Sequence, residues 1–328
     1  MTLSILGTGR ALPALTVTND DLAQFIDTSD EWIAPRTGIR SRQLLTTETI
    51  TDLAVAAGRA ALENAEITAE ELDLILCTTI QGDTLTPSMA NLVQRELGAQ
   101  CPAFDINAAC CGFIYGLDTA LAYLQSGKAQ RVLVISAEQM SRHVDWADRA
   151  TCVLFGDGAA AAIVGPGDAL KYIKITSQGD ETGLRIPSRR QGYGSTPSYA
   201  APEGTDFSGQ LYMNGQTIFK FAVSACSEGI REALAAAKLQ AEKVKYFILH
   251  QANARIIDAV RRNLGEIKEK FPLNVDHTGN MSCASLPSLL DELNQAGQLQ
   301  NGDMLLLSAF GGGLTTGVCV LEWRGNHG

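Results

Sequence analysis

The sequence predicts an α/β protein made of two related halves stacked as alternating layers of helix and sheet. Three observations carry this. A stretch of helical period, Thr51 to Asn64, is followed by a continuous apolar run, Leu72 to Thr79, of the kind found in strands buried on both faces. The same order returns in the second half, where a helix over Phe219 to Ala237 precedes a strand over Tyr246 to His250. One offset relates the two halves: adding 173 carries Cys77 to His250, Asn107 to Asn280 and Cys110 to Cys283. Two superposable βα halves packed together give five layers, α-β-α-β-α, with residues 1–170 forming one half and 171–328 the other.

The elements follow in order. Residues 3–8 alternate apolar and small side chains and read as a first strand. Thr18-Asn19-Asp20-Asp21 opens a helix through Ile26, and Thr28-Ser29-Asp30-Glu31 caps a second short helix carrying Trp32 and Ile33. Arg36 to Arg42 reads as a turn with three arginines. Strands over Arg131 to Ala137 and Ala159 to Val164 continue the alternation, so the sheet is expected to be mostly parallel. The helix Leu286 to Asn294, ending at Gly297, and the strand Met304 to Ser308 mirror Leu117 to Leu124, Gly127 and Val132 to Ser136. Residues 180–210, rich in Gly, Ser, Pro and Tyr, read as a long surface loop bordering a tunnel.

Composition narrows the function. At 328 residues the chain is long enough for two units. Thirty-six acidic against 26 basic residues give a net charge of −10, which repels nucleic acid. The longest apolar run, 159–164, is far below the ~18 residues of a membrane span, and residues 1–10 lack a signal layout, so a cytoplasmic protein is expected. Eight cysteines without a C-x-x-C pair read as reduced thiols, not as disulfides or metal ligands. Gly-Thr-Gly at 7–9 and Gly-Asp-Gly at 156–158 do not complete G-x-G-x-x-G and read as tight strand packing, not a dinucleotide site.

The chemistry centres on Cys110. It stands among Ala108, Ala109 and Gly112 where a strand turns into a helix, and a helix N-terminus is expected to lower a thiol pKa toward neutrality. His250 and Asn280 fall at comparable strand ends of the other half, where ligands of doubly wound sheets collect.

Asn107-Ala-Ala-Cys-Cys-Gly-Phe113, His250-Gln-Ala-Asn253 with Arg255-Ile-Ile257, Gly279-Asn-Met-Ser-Cys-Ala-Ser-Leu-Pro287 and Phe310-Gly-Gly-Gly313 resemble the motifs of the thiolase-fold condensing enzymes. Specifically, they resemble those of β-ketoacyl-acyl carrier protein synthase III, and the resemblance runs from the Gly-Thr-Gly at 7–9 to the last strand at 317–323. It implies a thiolase-like fold and a decarboxylative Claisen condensation that joins an acyl-CoA primer to malonyl-acyl carrier protein and initiates fatty acid synthesis. Cys110 would take the acyl group as a thioester. His250 and Asn280 would donate hydrogen bonds to the malonyl thioester oxygen, and the backbone NH groups of Cys110 and Gly312 would form the oxyanion hole. A thiolase would need a second reactive Cys and a second His, so Cys, His and Asn suit a decarboxylating synthase. A related enzyme of secondary metabolism, using malonyl-CoA or an unusual primer, is the alternative.

The resemblance further implies that coenzyme A thioesters are substrates and that no cofactor is bound permanently. Trp32, Arg36 and Arg149 match residues that meet the adenine and phosphates, Thr28 a hydrogen-bonding neighbour, and Gln216 a position usually held by Asn along the pantetheine tunnel. Lys220, Arg255, Arg261 and Arg262 match or neighbour basic residues that meet the acidic carrier protein. Phe310 matches an aromatic that shields the site. Leu85 and Thr86 lie on a loop that in the family crosses a homodimer to close the partner's acyl pocket; Thr86 stands where many members have Phe, which implies a wider or differently shaped pocket. Cys111 replaces the usual Ala or Ser beside the nucleophile and is expected to be a reduced filler, and Cys283 a small spacer.

Overall fold

The computed structural model describes residues 2–187 and 210–325. The first half comprises β1 (Thr2–Ala11), β2 (Leu15–Thr18), α1 (Asn19–Leu22), α2 (Asp30–Thr37), β3 (Ser41–Leu44), α3 (Ile50–Asn64), β4 (Leu74–Thr78), α4 (Met89–Leu97), β5 (Ala103–Ile106), α5 (Gly112–Gln125), β6 (Val132–Gln139) and β7 (Asp157–Gly167). The second comprises β8 (Leu170–Asp180), β9 (Leu184–Arg185), β10 (Tyr212–Met213), α6 (Gly215–Ala236), β11 (Val244–Leu249), α7 (Ala254–Leu264), α8 (Val275–Thr278), α9 (Ser285–Gln295), β12 (Met304–Gly311) and β13 (Gly313–Glu322).

Two sheets of matching order form the frame: β1-β7-β6-β4-β5 and, after the duplication, β8-β13-β12-β11. Side-chain alternation along each strand sorts the core into layers. On β6, Val132 and Val134 face the centre with Leu117 of α5 and Leu289 of α9, while Leu133 and Ile135 face outward against Leu53 and Ala57 of α3 and Val93 of α4. On β12, Leu305 and Leu307 join the same central core, and Leu306 meets Ile230 of α6 and Val260 of α7 on the outer side. The result is the expected five layers, with α5 and α9 buried between the sheets. One core, drawn from both halves, holds the molecule together.

The sheets are not mostly parallel. β4 pairs parallel with β5 and β6, and β11 with β12, but β7 runs antiparallel to β1 and β6, and β13 antiparallel to β12 and β8. The cause is the connection preceding each: only turns and a short 3-10 segment lie between β6 and β7, and Gly312 alone separates β12 from β13, so no crossover helix restores the direction. Within the repeat, the image of β5 is the short helix α8.

Two local expectations change. The helix opened by Thr18 stops at Leu22, with the Phe25 and Ile26 NH groups both folding back on the Leu22 carbonyl. Arg36 belongs to α2, which ends at Gly38 in the left-handed conformation, and Arg42 lies in β3, not in a turn. Arg42 is fully buried, donating to the Val17 and Val153 carbonyls and Asn19 Oδ1 at 2.7–3.2 Å. The loop expected over 180–210 lies mostly outside the described residues; β8 reaches Asp180, and β9 and β10 pair across its two ends.

The Gly-Thr-Gly at 7–9 serves packing. A Cβ on Gly9 would stand 2.4 Å from Ala61 N and 2.5 Å from Ala57 O, so α3 lies directly on β1. Gly9→Ala is therefore expected to cost about 1–3 kcal/mol or more, because the clash is with backbone. Gly229→Ala, in the middle of α6 with only Val318 Cγ1 at 3.9 Å, is expected to stabilise by up to about 1 kcal/mol. Thermal midpoints of the two variants, moving in opposite directions, check the pair.

Candidate active site

The duplication builds the site from two copies of one backbone device. Asn107 Oδ1 accepts from the Ala109 NH at 3.2 Å, and Asn280 Oδ1 accepts from the Ser282 NH at 2.8 Å. Ala109 and Ser282 then take left-handed backbone, φ 45° and 49°, a conformation seldom held by residues other than Gly and Asn. A 3-10 turn follows each, Ala109–Cys111 and Ser282–Ala284, and then α5 and α9 begin. In the first copy the corner presents Cys110; in the second it presents Asn280.

These residues border one cavity of about 520 Å³, lined by Cys110, His250, Asn280, Phe310 and Gly312. Five sequence-predicted site residues thus come together. Asn280 is pinned by its NH to Leu154 O and its carbonyl to the Gly156 NH, and because its Oδ1 is taken, its NH2 supplies the free donors. His250 follows β11, is 1% exposed, and meets Phe310 edge-on at 5.3 Å between ring centroids. Its Nδ1 is buried without a partner, and burial holds the imidazole neutral, at about 3. Cys110 is half-buried and the other seven cysteines are buried; all eight are free thiols.

One expectation needs correction. Cys110 is expected to be acidified by its helix N-terminus, but its pKa rises to about 11, because desolvation outweighs the lowering by the Ser282 hydroxyl and the nearby Glu138 carboxylate adds a smaller push upward. A helix terminus contributes about 0.3–1 kcal/mol, whereas burial shifts pKa values by up to ~3–5 units. Next to the cavity, Gly311 has no room for a side chain: a Cβ there would lie 2.9 Å from Cys110 N, while at Gly312 the nearest contact is Leu184 at 3.5 Å.

The remaining predicted residues lie away from the cavity lining. Arg36 and Arg149 each place a guanidinium 4.9 Å from the centre of the Trp32 ring. Arg149 is tied to the Asp27 carbonyl at 2.8 Å, Thr28 Oγ1 is buried without a partner, and Asn253 of the cavity wall donates to Arg36 O at 3.2 Å, linking this cluster to the cavity. Gln216 is exposed on the first turn of α6, beside the lining residues Gly215 and Ile218. Lys220 and Arg255 are exposed; Arg261 and Arg262 both pair with Asp258, at 2.7 and 3.1 Å. Leu85, at 89% exposure, and Thr86 stand outside the cavity of their own chain.

Comparison with known proteins decides the family. Residues 104–180 match the 3-oxoacyl-[acyl-carrier-protein] synthase III family model and residues 234–323 its C-terminal model. Beta-ketoacyl-[acyl-carrier-protein] synthase III of Aquifex aeolicus is 44% identical over 324 residues, covering 98% of this chain and all of that protein. The chain belongs to the β-ketoacyl-[acyl-carrier-protein] synthase III family. Its namesake from Clostridium acetobutylicum is 40% identical, with 98% of each chain covered. The crystal structure of the Aquifex aeolicus synthase III superposes with a TM-score of 0.90 at 42% identity, over 98% of this chain and 100% of that one. A priming β-ketosynthase from a polyketide biosynthetic pathway superposes at 0.91 with 36% identity, covering 99% and 97%. The chain is accordingly a thiolase-fold acyltransferase of the synthase III type.

Sequence reasoning passed over two members of the site, Glu138 and Ser282. Ser282 Oγ is 3.5 Å from Cys110 Sγ and 3.1 Å from Glu138 Oε1. The available signal was a charge at the carboxyl end of the apolar strand β6, where a charge is buried only with partners.

The neutral His250 has a consequence for stability. Below pH 6.5 the unfolded chain takes up a proton that the folded chain refuses until about pH 3, so this residue's contribution falls with pH across that window. His250→Gln is expected to lose less stability on acidification, narrowing its difference from wild type by about 3 kcal/mol between pH 8 and pH 4.5. Urea titrations at the two pH values measure it.

Proposed function

We propose that this chain condenses an acyl-CoA primer with malonyl-acyl carrier protein, initiating fatty acid synthesis through an acyl-Cys110 thioester. The observation that carries this reading is the convergence of Cys110, His250 and Asn280 on one cavity. Cys110 attacks the thioester carbonyl, whose oxygen is held by the Cys110 and Gly312 NH groups, and coenzyme A leaves. The malonyl thioester then sits with its carbonyl oxygen toward the His250 N–H and the Asn280 NH2. A neutral imidazole and an amide donate hydrogen bonds without adding charge, and they stabilise the enolate left when CO2 departs. The enolate carbon attacks acyl-Cys110 and frees the sulfur.

Trp32, flanked by Arg36 and Arg149, suits an adenine and its phosphates, with the unpartnered Thr28 hydroxyl as a further donor or acceptor. Gln216 borders the pantetheine path. Lys220 and Arg255, exposed and outside any ion pair among the described residues, present the charge that meets an acidic carrier, whereas Asp258 neutralises much of Arg261 and Arg262. The enzyme works as a cytoplasmic homodimer in which Leu85 and Thr86 close the partner's acyl pocket. A second reading, the priming of a secondary-metabolite pathway with an unusual acyl group, draws support from the polyketide ketosynthase at 36% identity and from Thr86.

Intact-protein mass spectrometry after mixing with a panel of acyl-CoAs, then chasing with malonyl-CoA or malonyl-carrier protein, tests both readings. An acyl adduct absent from Cys110→Ala and discharged by malonyl-carrier protein supports the first; loading only by unusual acyl groups and discharge by malonyl-CoA supports the second; an adduct that survives Cys110→Ala defeats both. His250→Ala and Asn280→Ala are each expected to keep the adduct and lose about a hundredfold or more in its discharge. At the surface, Lys220→Glu and Arg255→Glu are expected to raise KM for the carrier substrate about tenfold, with malonyl-CoA turnover unchanged. Arg261→Gln is expected to change that KM by about twofold or less.

A further inference from the structure

A continuous hydrogen-bonded path joins the nucleophile to a buried carboxylate. Cys110 Sγ lies 3.5 Å from Ser282 Oγ, which lies 3.1 Å from Glu138 Oε1; Ser282 is 0% and Glu138 1% exposed. A hydroxyl has one hydrogen and a carboxylate has none to give. The Ser282 hydrogen can go to Cys110 Sγ or to Glu138 Oε1 but not to both; with Glu138 ionised it goes to the carboxylate, and the thiol then gives its own hydrogen to Ser282 Oγ. The path has a direction, from sulfur to carboxylate.

We propose that Glu138, acting through the Ser282 hydroxyl, takes the Cys110 proton as the sulfur is acylated and returns it when the sulfur is released. The inference rests on the reading of Cys110 as acyl acceptor. In the first step the bond from Cys110 sulfur to the acyl carbon forms and the bond from that carbon to the coenzyme A sulfur breaks. The Cys110 proton moves to Ser282 Oγ as the Ser282 proton moves to Glu138, and the departing coenzyme A thiolate takes a proton from water. In the second step CO2 leaves the malonyl thioester, its electron pair makes the new carbon–carbon bond, and the acyl bond to Cys110 breaks. The freed thiolate recovers its proton from Ser282, which is refilled from Glu138.

The surroundings fit this role. Besides Ser282, Glu138 receives the Ile80 NH at 3.2 Å, the Cys283 thiol at 3.3 Å and the Thr79 hydroxyl at 3.5 Å, with the Arg142 charge acting on it from nearby. Burial raises Glu138 to about 7, so it changes charge near neutrality, while the thiol at about 11 does not release its proton to solvent there. A thiolate beside an ionised Glu138 would put two negative charges in one dry site. The relay leaves one.

The test uses iodoacetamide, which reads thiol reactivity without any acyl substrate, with modification at Cys110 followed by peptide mass spectrometry from pH 5.5 to 9.5. Wild type is expected to react faster as pH rises through about 7. Glu138→Gln, which keeps size and one acceptor oxygen, and Ser282→Ala, which leaves the carboxylate in place, are each expected to lose that inflection and to react about tenfold or more slowly at pH 8. Single-turnover acylation by acetyl-CoA is expected to follow the same profiles. Were Glu138 only a neighbouring charge, removing it would favour the thiolate, and a Glu138→Gln variant faster than wild type at pH 8 overturns the relay. So does a uniform slowing that keeps the inflection, which is what a structural staple would give. Folded controls come from near-UV circular dichroism, and if Glu138→Gln does not fold, Ser282→Ala decides. Failure of wild type to form an acyl adduct with any acyl-CoA overturns the functional reading instead, and the alkylation profile still judges the relay.

Discussion

Everything at the centre of this molecule depends on two helix-opening turns pressed together with no room for a side chain between them. A Cβ on Gly112 would fall 2.9 Å from Cys283 Cβ and 2.8 Å from Thr78 Cβ. This contact seats α5 and α9 side by side between the sheets and fixes the spacing of the two corners, each held by an Asn side chain and a left-handed residue. Cys110 of one half and the Asn280 amide of the other thereby face the same cavity. Duplicated geometry has diverged in content: Cys283, the image of Cys110, points its thiol at Thr78 O and Glu138 and is wholly buried.

The site is dry, and its electrostatics follow from that. His250 is neutral, Cys110 keeps its proton, and Glu138 sits near neutrality, each chiefly because burial penalises the charged form. Low local dielectric makes the remaining dipoles, the Asn280 amide and the backbone NH groups, count for more than they would in water. Such a site suits charge that develops briefly on a thioester oxygen better than charge that stays.

The duplicated fold and the residues that share the cavity were readable because they are local patterns: small residues around Cys110, and the same offset linking Asn107 to Asn280. What stayed hidden depends on long-range placement. Strand direction follows from what lies between β6 and β7, which has no periodic signal. The thiol pKa follows from burial, and burial of Cys110 beside Glu138 requires the other half to be in place. The burial of Arg42, read as part of a turn, comes from Asn19 and Val153, 23 and 111 residues away. Gly311 and Gly312 are adjacent, and only the position of Cys110 N tells which of them cannot carry a Cβ.

The shared central core also bears on how the chain is made. The first sheet is complete at Gly167, but the cover over its inner face and α5 is finished only when α9, β12 and β13, more than a hundred residues further on, join β8 and β11. On the ribosome the emerging first half therefore shows a broad apolar face until nearly the whole chain is out, and it carries β5 as an open sheet edge. The arrangement that brings Cys110 and Asn280 together thus leaves the nascent chain dependent on its second half, or on a chaperone, for protection against aggregation.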